Sequence, residues 1–137
     1  MRYLPNGKQM SEADAHTIHK IGIPSLVLME RAALQIVETM HKKNISTEKS
    51  LIVCGSGNNG GDGFAVARLL TEQGKHADVL FAGKEASLSE ECRCQKQIVE
   101  NMGISVFTEF PDEEYTVIID AVFGVGLCRE ITGHYKD

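Results

Sequence analysis

The sequence predicts an α/β fold, a doubly wound parallel sheet with helices before its first strand. Four short apolar runs are continuous rather than alternating, which is typical of strands buried on both faces of a parallel sheet. Helical segments separate the first three runs, as expected where neighbouring strands are parallel. The turn after the first run, Gly55–Gly63, is rich in glycine, which is typical of a strand–helix junction that holds a phosphate. With 137 residues, 42% of them apolar, the chain is expected to form one domain, residues 1–137.

Two helices are predicted before the sheet. Residues Ser11 to Lys20 read as a short polar helix, and Pro24 ends that pattern. Ser25 is the expected N-cap of a longer helix that runs to about Lys43. Such amphipathic helices would suit a homodimer interface. The apolar face of the second helix consists of Met29, Ala33, Ile36, Val37 and Met40.

The strands and the remaining helices follow in order. Doubly wound topology of the Rossmann-like kind would arrange the four strands in the order 3-2-1-4. The first and fourth strands would then be neighbours, and a crevice would open at their carboxyl ends. The predicted strands are Leu51–Cys54, Ala77–Phe81, Ile104–Phe107 and Thr116–Asp120, and the predicted helices are Phe64–Gln73 and Ser89–Met102, which end at Gly74 and Gly103.

The glycine-rich turn at the first strand is the main candidate for a binding site. Its glycines let the backbone approach a ligand closely, and the helix that follows presents backbone N–H groups and a positive dipole end. The alternative interpretation is a turn whose glycines only permit tight packing between strand and helix. In that alternative Asp62 would be a helix N-cap. Two adjacent amides, Asn58 and Asn59, are less easily explained by capping alone.

Composition excludes several classes of function. The net charge is −5 and no run of Lys or Arg is present, which argues against nucleic-acid binding. No apolar run approaches the length of a membrane span, and residues 1–12 lack the apolar core of a secretory signal, so we expect a cytoplasmic protein. The four cysteines do not have zinc-ligand spacing, because Cys92 and Cys94 lack a matching pair.

The second strand argues against an ordinary dehydrogenase. It is followed by Ala82, Gly83 and Lys84, so no acid stands at the strand end to bind an adenosine ribose. Glu85 lies too far into the loop. We therefore expect a nucleotide or phosphate ligand in a different pose.

Three segments together resemble a known family. Gly57–Gly63 has the sequence GNNGGDG, Asp120–Glu130 has the sequence DAVFGVGLCRE, and Ile23–Ala32 matches an N-terminal helix motif. These segments are similar to the YjeF N-terminal domain family, whose best-known activity is NAD(P)H-hydrate epimerase. The similarity spans essentially the whole chain.

The resemblance implies an isomerase that interconverts the R and S forms of hydrated NADH and NADPH (NADHX and NADPHX) in nicotinamide nucleotide repair. It implies a bound potassium ion, with Asn59 and Asp120 as ligands, and their amide and carboxylate oxygens suit a hard cation. The substrate contacts implied are Asn58, Asn59, Gly60, Gly61 and Asp62, and in a second loop Gly124, Val125, Gly126, Leu127, Cys128, Arg129 and Glu130.

One family motif has no counterpart in the sequence. The family's catalytic aspartate lies in a motif of the type Asp-x-Pro-Ser-Gly, which the last residues do not match, and Asp137 is not assigned that role. We therefore expect an N-terminal portion of the domain, with the fourth strand as an exposed sheet edge. The alternative function is a catalytically inactive nucleotide-binding or protein-interaction module of the same fold. Asp120 as a turn residue, and Arg129 with Glu130 as a solvated ion pair, are the alternative readings of those residues.

Overall fold

The structure is a computed structural model that describes residues 2–3, 22–122 and 127–130, the first and last of these ranges by backbone alone. The helices and strands are β1 (Arg2–Tyr3), α1 (Ser25–Lys42), β2 (Lys49–Cys54), α2 (Asn58–Glu72), β3 (His76–Phe81), α3 (Glu90–Asn101), β4 (Val106–Phe107), β5 (Val117–Ala121) and β6 (Leu127–Glu130). A short 3-10 turn, Glu85–Ser87, lies in the connection between β3 and α3.

The described strands form one sheet in the order β1-β6-β5-β2-β3-β4. Its central part, β4-β3-β2-β5, is parallel and has the 3-2-1-4 order that was predicted from the sequence. The predicted fold class is therefore confirmed. In this register Val53 of β2 lies beside Asp120 of β5, so the carboxyl ends of the two strands meet at one edge of the sheet.

The outer side of β5 differs from the prediction. We expected an exposed edge there, but β6 pairs with β5 in antiparallel fashion, and β1 pairs with β6. Residues 127–130 were also predicted to be part of a loop, and they form β6 instead. An apolar strand presents unpaired N–H and C=O groups along its edge, and pairing with β6 satisfies them.

The helices pack against one face of the sheet. The main core joins α1, α2 and α3 to inward side chains such as Ile52, Val79 and Ile119. Phe64 of α2 is fully buried and contacts Phe81 of β3, with ring centroids 6.1 Å apart. A smaller cluster on the opposite face consists of Leu51, Leu80, Tyr115 and Ile118, all buried. The predicted helix Ser11–Lys20 lies outside the described residues.

The helix ends show where the local patterns were right. Gly74 and Gly103 follow α2 and α3 with φ of 82° and 78°, as predicted for glycines at the C′ position. Ser89 is the N-cap of α3, and its hydroxyl accepts a hydrogen bond from the N–H of Cys92. Ser25 is not an N-cap, because Pro24 occupies that position and the Ser25 hydroxyl donates instead to Glu91 at 2.8 Å.

A buried carboxylate lies near the amino ends of the strands. Asp78 of β3 is only 3% exposed, and its Oδ2 accepts a 2.8 Å hydrogen bond from the Tyr115 hydroxyl. The other oxygen, Oδ1, lies 3.0 Å from Nε2 of His76. Burial, followed by the hydrogen bond to Asp78, raises the pKa of Tyr115 above its ordinary value, so the phenol stays protonated and continues to donate.

Removing the phenol hydroxyl should destabilise the fold. We expect Tyr115→Phe to lower the free energy of unfolding by about 1–3 kcal/mol, because a buried carboxylate loses one of its donors. Urea denaturation measures the change. The double variant Asp78→Val with Tyr115→Phe should recover part of the loss, since both polar partners are then absent. A Tyr115→Phe variant as stable as the wild type would show that the hydrogen bond contributes nothing.

Candidate functional site

The glycine motif forms the junction between β2 and α2. The strand ends at Cys54 and the helix begins at Asn58, earlier than the predicted start at Phe64. Gly57 is the N-cap and has no side chain to bond the first turn, and Gly61 N–H makes a 3.1 Å bond to the Gly57 carbonyl. The N–H groups of a first helical turn have no acceptor within the helix and point out of its end, where the dipole is positive. The arrangement is that of an anion-binding helix N-terminus.

Three glycines of the motif face the protein interior. A Cβ atom on Gly60 would lie 1.9 Å from the carbonyl oxygen of Gly55, and one on Gly63 would lie 2.7 Å from Cβ of Ala121. A Cβ atom on Gly61 would lie 2.6 Å from Cε of Met29. The three glycines therefore permit the tight packing that the alternative interpretation expects. The predicted ligand contacts of Gly60 and Gly61 stay predictions, and only backbone atoms could make them.

The polar residues of the motif lie in the first two turns of α2. Asn58 is exposed, and its Oδ1 accepts a 2.7 Å hydrogen bond from the Ser89 hydroxyl. Asn59 and Asp62 are half-buried. Asp62 was considered as an N-cap, and this alternative is wrong because the helix already begins at Asn58. All three side chains therefore belong to the helix end that an anionic ligand would meet.

Asp120 lies at the same edge of the sheet. Gly55 N–H donates to the Ala121 carbonyl at 3.3 Å, which ties the start of the motif to the end of β5. Gly63 packs on Ala121, and Asn59 lies one helical turn before Gly63. The N-terminal end of α2 therefore lies over the end of β5. Asp120 Oδ1 accepts a 3.0 Å hydrogen bond from Val122 N–H, as the turn-residue alternative expects. A carboxylate has further acceptor positions for a second ligand.

The second predicted contact segment is described only in part. Gly124, Val125 and Gly126 lie outside the described residues, and no side chains are described for Leu127, Cys128, Arg129 and Glu130. Along β6, Leu127 pairs with Asp120 at the site edge, whereas Glu130 pairs with Val117. These two positions are three residues apart along the strand, a distance of about 10 Å. The ligand contacts of this segment stay predictions, and among its described residues Leu127 lies nearest to the site.

The start of α3 contributes to the site, and this contribution was not predicted from the sequence. Ser89 N–H donates to the Ser56 carbonyl at 2.9 Å, and the Cys92 thiol donates to the Gly55 carbonyl at 3.6 Å. The capping pattern at Ser89 was visible in the sequence. That this cap lies against the glycine motif depends on tertiary packing, which a local pattern does not contain.

Two thiols lie beneath the motif, and burial keeps both protonated. Cys54 and Cys92 are fully buried. Burial raises the pKa of Cys92 to about 11, and burial, with smaller contributions from Cys92 and Asp120, raises that of Cys54. Because the thiolate is the nucleophile, neither thiol suits nucleophilic catalysis near neutral pH.

The donor set at the edge suits an alkali cation better than a transition metal. Among the described residues, no group of three or more His, Cys, Asp or Glu side chains could hold a metal ion. The amide of Asn59 and the carboxylate of Asp120 offer oxygen donors, which hard cations prefer.

No helix in the described part of the chain is long and apolar enough to cross a membrane.

Comparison with known proteins agrees with the sequence motifs. The family model described as "YjeF-related protein N-terminus" matches residues 25–137. Curated proteins named NAD(P)H-hydrate epimerase are 45% identical over 93% of this chain in Oenococcus oeni, 43% over 90% in Weissella koreensis and 42% over 98% in Limosilactobacillus reuteri. The matches cover 62%, 56% and 64% of those relatives, so the chain spans about three fifths of their length.

A solved structure supports the fold independently of close sequence similarity. The crystal structure of the yeast protein ynu0 superimposes with a TM-score of 0.68 at 20% identity. The alignment covers 86% of this chain and 56% of the yeast chain. At this identity the likeness shows the fold alone.

The packing of the motif predicts a large loss of stability on substitution of Gly60 and little change on substitution of Gly57. Gly60→Ala should destabilise the protein by about 1–3 kcal/mol, because its Cβ atom would collide with a backbone carbonyl. Gly57→Ala is the matched control, since a Cβ atom there meets nothing within 4 Å. Alanine is a weaker N-cap than glycine, but it also lowers the conformational entropy of the unfolded chain, and the two effects oppose each other. The free energy of unfolding should therefore change by no more than about 0.5 kcal/mol. Thermal denaturation compares the two, and equal effects would contradict the packing described.

Burial also predicts an order of thiol reactivity. At pH 7.5 iodoacetamide should modify Cys94, which is half-buried, well before Cys54 or Cys92. The rate at Cys92 should rise as the pH approaches its pKa of about 11. Peptide mass spectrometry of timed samples follows each site. Early modification of Cys92 in the folded protein at pH 7.5 would contradict the assignment.

Proposed function

The chain belongs to the YjeF-related protein N-terminus family, and from this membership we propose that its site binds hydrated NADH or NADPH and serves NAD(P)H-hydrate epimerisation. The reaction would interconvert the R and S hydrates at the nicotinamide carbon that bears the hydroxyl group. The observation that carries the proposal is the meeting of two motifs at one edge of the sheet. The first turn of α2, from Asn58 to Asp62, overhangs the end of β5 at Asp120.

Each part of this edge has a chemical role in the proposal. The open N-terminus of α2 would bind the pyrophosphate through backbone N–H groups, with the helix dipole favouring its negative charge. The Asn58 side chain would add amide donors beside it. Leu127 pairs with Asp120, so the described part of the second contact segment would reach the same ligand through this residue.

A potassium ion fits the oxygen donors at this edge, and Asn59 and Asp120 would hold it. When bound, the ion would supply positive charge that offsets the phosphates and helps to orient them. The hydrogen bond from Val122 N–H holds the Asp120 carboxylate in place at the strand end. We assign no residue in the described part of the chain to the proton transfers that hydroxyl departure and return require.

The same proposal extends to assembly and location. Helix α1 exposes three large apolar side chains, Leu26, Val27 and Leu34. We propose that two copies of the chain associate through this helix to form a homodimer. The free thiols of Cys54, Cys92 and Cys94 are typical of a reducing compartment, which supports a cytoplasmic location.

Epimerisation of the R hydrate of NADH to the S hydrate, in potassium and in sodium buffer, tests the proposed reaction. Conversion above the uncatalysed rate supports it. The second candidate is the same site used for binding without turnover, which the lack of an assigned acid–base residue in the described part favours. A hydrate that raises the melting temperature without being converted would support this second candidate. A folded sample that neither binds nor converts the hydrate would contradict both.

The carboxylate at the end of β5 should control affinity. We expect Asp120→Asn to weaken binding of NADH hydrate in potassium buffer about 10-fold, because the neutral amide would hold the cation less well. The variant should also lose the difference between potassium and sodium buffers.

Glu114→Gln is the matched control, since Glu114 is exposed and precedes β5, at the other end of that strand. Its affinity should stay within about twofold of the wild type, as is usual for an exposed surface charge. Isothermal titration calorimetry measures all three proteins. An Asp120→Asn variant that keeps its potassium dependence would remove Asp120 from the proposed ion site.

A further inference from the structure

The N-terminus of α3 contacts the glycine motif at three points. Ser89 N–H donates to the Ser56 carbonyl at 2.9 Å, and the Ser89 hydroxyl donates to Asn58 Oδ1 at 2.7 Å. One turn later, the Cys92 thiol donates to the Gly55 carbonyl at 3.6 Å. The first part of the motif, residues 55–58, is therefore bound by one helix end that lies outside the three family motifs.

The Ser89 hydroxyl has two roles in this contact. Its oxygen accepts the N–H of Cys92 at 3.1 Å, which is the N-cap of α3. Its proton is then directed to Asn58 Oδ1. A hydroxyl has one proton and two acceptor positions, so both bonds can exist at once.

The bond to Asn58 decides which way its amide group faces. With Oδ1 directed at Ser89, the Nδ2 group and its two protons face away from α3. Asn58 is the first residue of α2 and is exposed, so these protons lie at the open end of that helix. The amide protons and the first-turn N–H groups then form one set of donors at the same place.

We propose that Ser89 is a positioning residue for the ligand site, which orients the Asn58 amide so that its two protons face an anionic ligand. The proposal rests on the proposed function only for the identity of that ligand, a hydrated nicotinamide dinucleotide. Ser89 itself does not touch the ligand. It acts through Asn58. Because the amide is already oriented and need not reorient on binding, the free-energy cost of binding is lower.

Three substitutions at Ser89 separate orientation of the amide from capping of α3. Ser89→Thr keeps both the acceptor and the donor. Ser89→Gly loses the donor to Asn58, yet glycine is well tolerated at an N-cap, so the stability of α3 should change little. Ser89→Ala loses both. Ser87→Gly is the matched control, because Ser87 is exposed on the same connection between β3 and α3.

The first measurement needs no ligand. In ¹⁵N-labelled protein the two Nδ2–H resonances of Asn58, identified by their loss in Asn58→Ala, report the environment of the amide. In the wild type, Ser89→Thr and Ser87→Gly their chemical shifts should differ from those of a free side-chain amide. In Ser89→Gly the shifts should move toward the free-amide values. Unchanged resonances in Ser89→Gly would overturn the proposal.

The second measurement is the affinity for NADPH hydrate by calorimetry. We expect Ser89→Gly to bind about 10-fold more weakly, with melting temperatures near that of the wild type, and Ser89→Thr to bind normally. In an Asn58→Ala background Ser89→Gly should have no further effect, since the two residues act as one unit. Equal affinity of Ser89→Gly and the wild type, or additive losses in the double variant, would overturn the positioning role. A wild type that does not bind the hydrate, with the amide resonances still responding to Ser89→Gly, would reject the proposed function alone.

Discussion

The close packing of α2 on the ends of β2 and β5 is the constraint on which the rest of the site depends. Gly60, Gly61 and Gly63 bring the first turns of the helix into contact with Gly55, Met29 and Ala121, where no side chain would fit. Glycines occupy the interior side of the first turns of α2. Because that side packs closely against the protein, the polar residues of these turns face the carboxyl edge of the sheet. The same edge receives the end of β5, so packing and site formation have one cause.

The third helix completes this arrangement from the other side. Its N-terminus binds Gly55, Ser56 and Asn58, and its cap residue Ser89 takes part in two of these three contacts. Lys96, about two turns after Ser89 along α3, pairs with Glu85 and Glu100. Its ammonium group lies 5.5 Å from the centre of the Phe81 ring. These contacts hold the helix start against the connection that follows β3. The glycine motif is thus held by contacts with α3 as well as by its own strand.

Much of the fold could be predicted from the sequence because its signals are local. Continuous apolar runs identified β2, β3 and β5, and Gly74 and Gly103 marked helix ends, where positive φ values favour glycine. The start of α2 was placed too late, because glycines and asparagines disfavour helix interiors and only tertiary packing makes them helical here. The pairing of β6 with β5 and the bond from Ser89 to Asn58 join residues far apart in the chain. Local patterns do not report such contacts.

In the proposed complex the ligand contacts the protein where the start of α2 and the end of β5 come together. Mapping backbone amide shifts of the ¹⁵N-labelled chain during titration with NADH hydrate tests this most directly. We expect saturable changes at residues 55–62 and at Ala121 and Val122, with little change at His76 or Gly103 near the opposite edge. Changes centred on that opposite edge or on the exposed face of α1, with residues 55–62 unaffected, would contradict it.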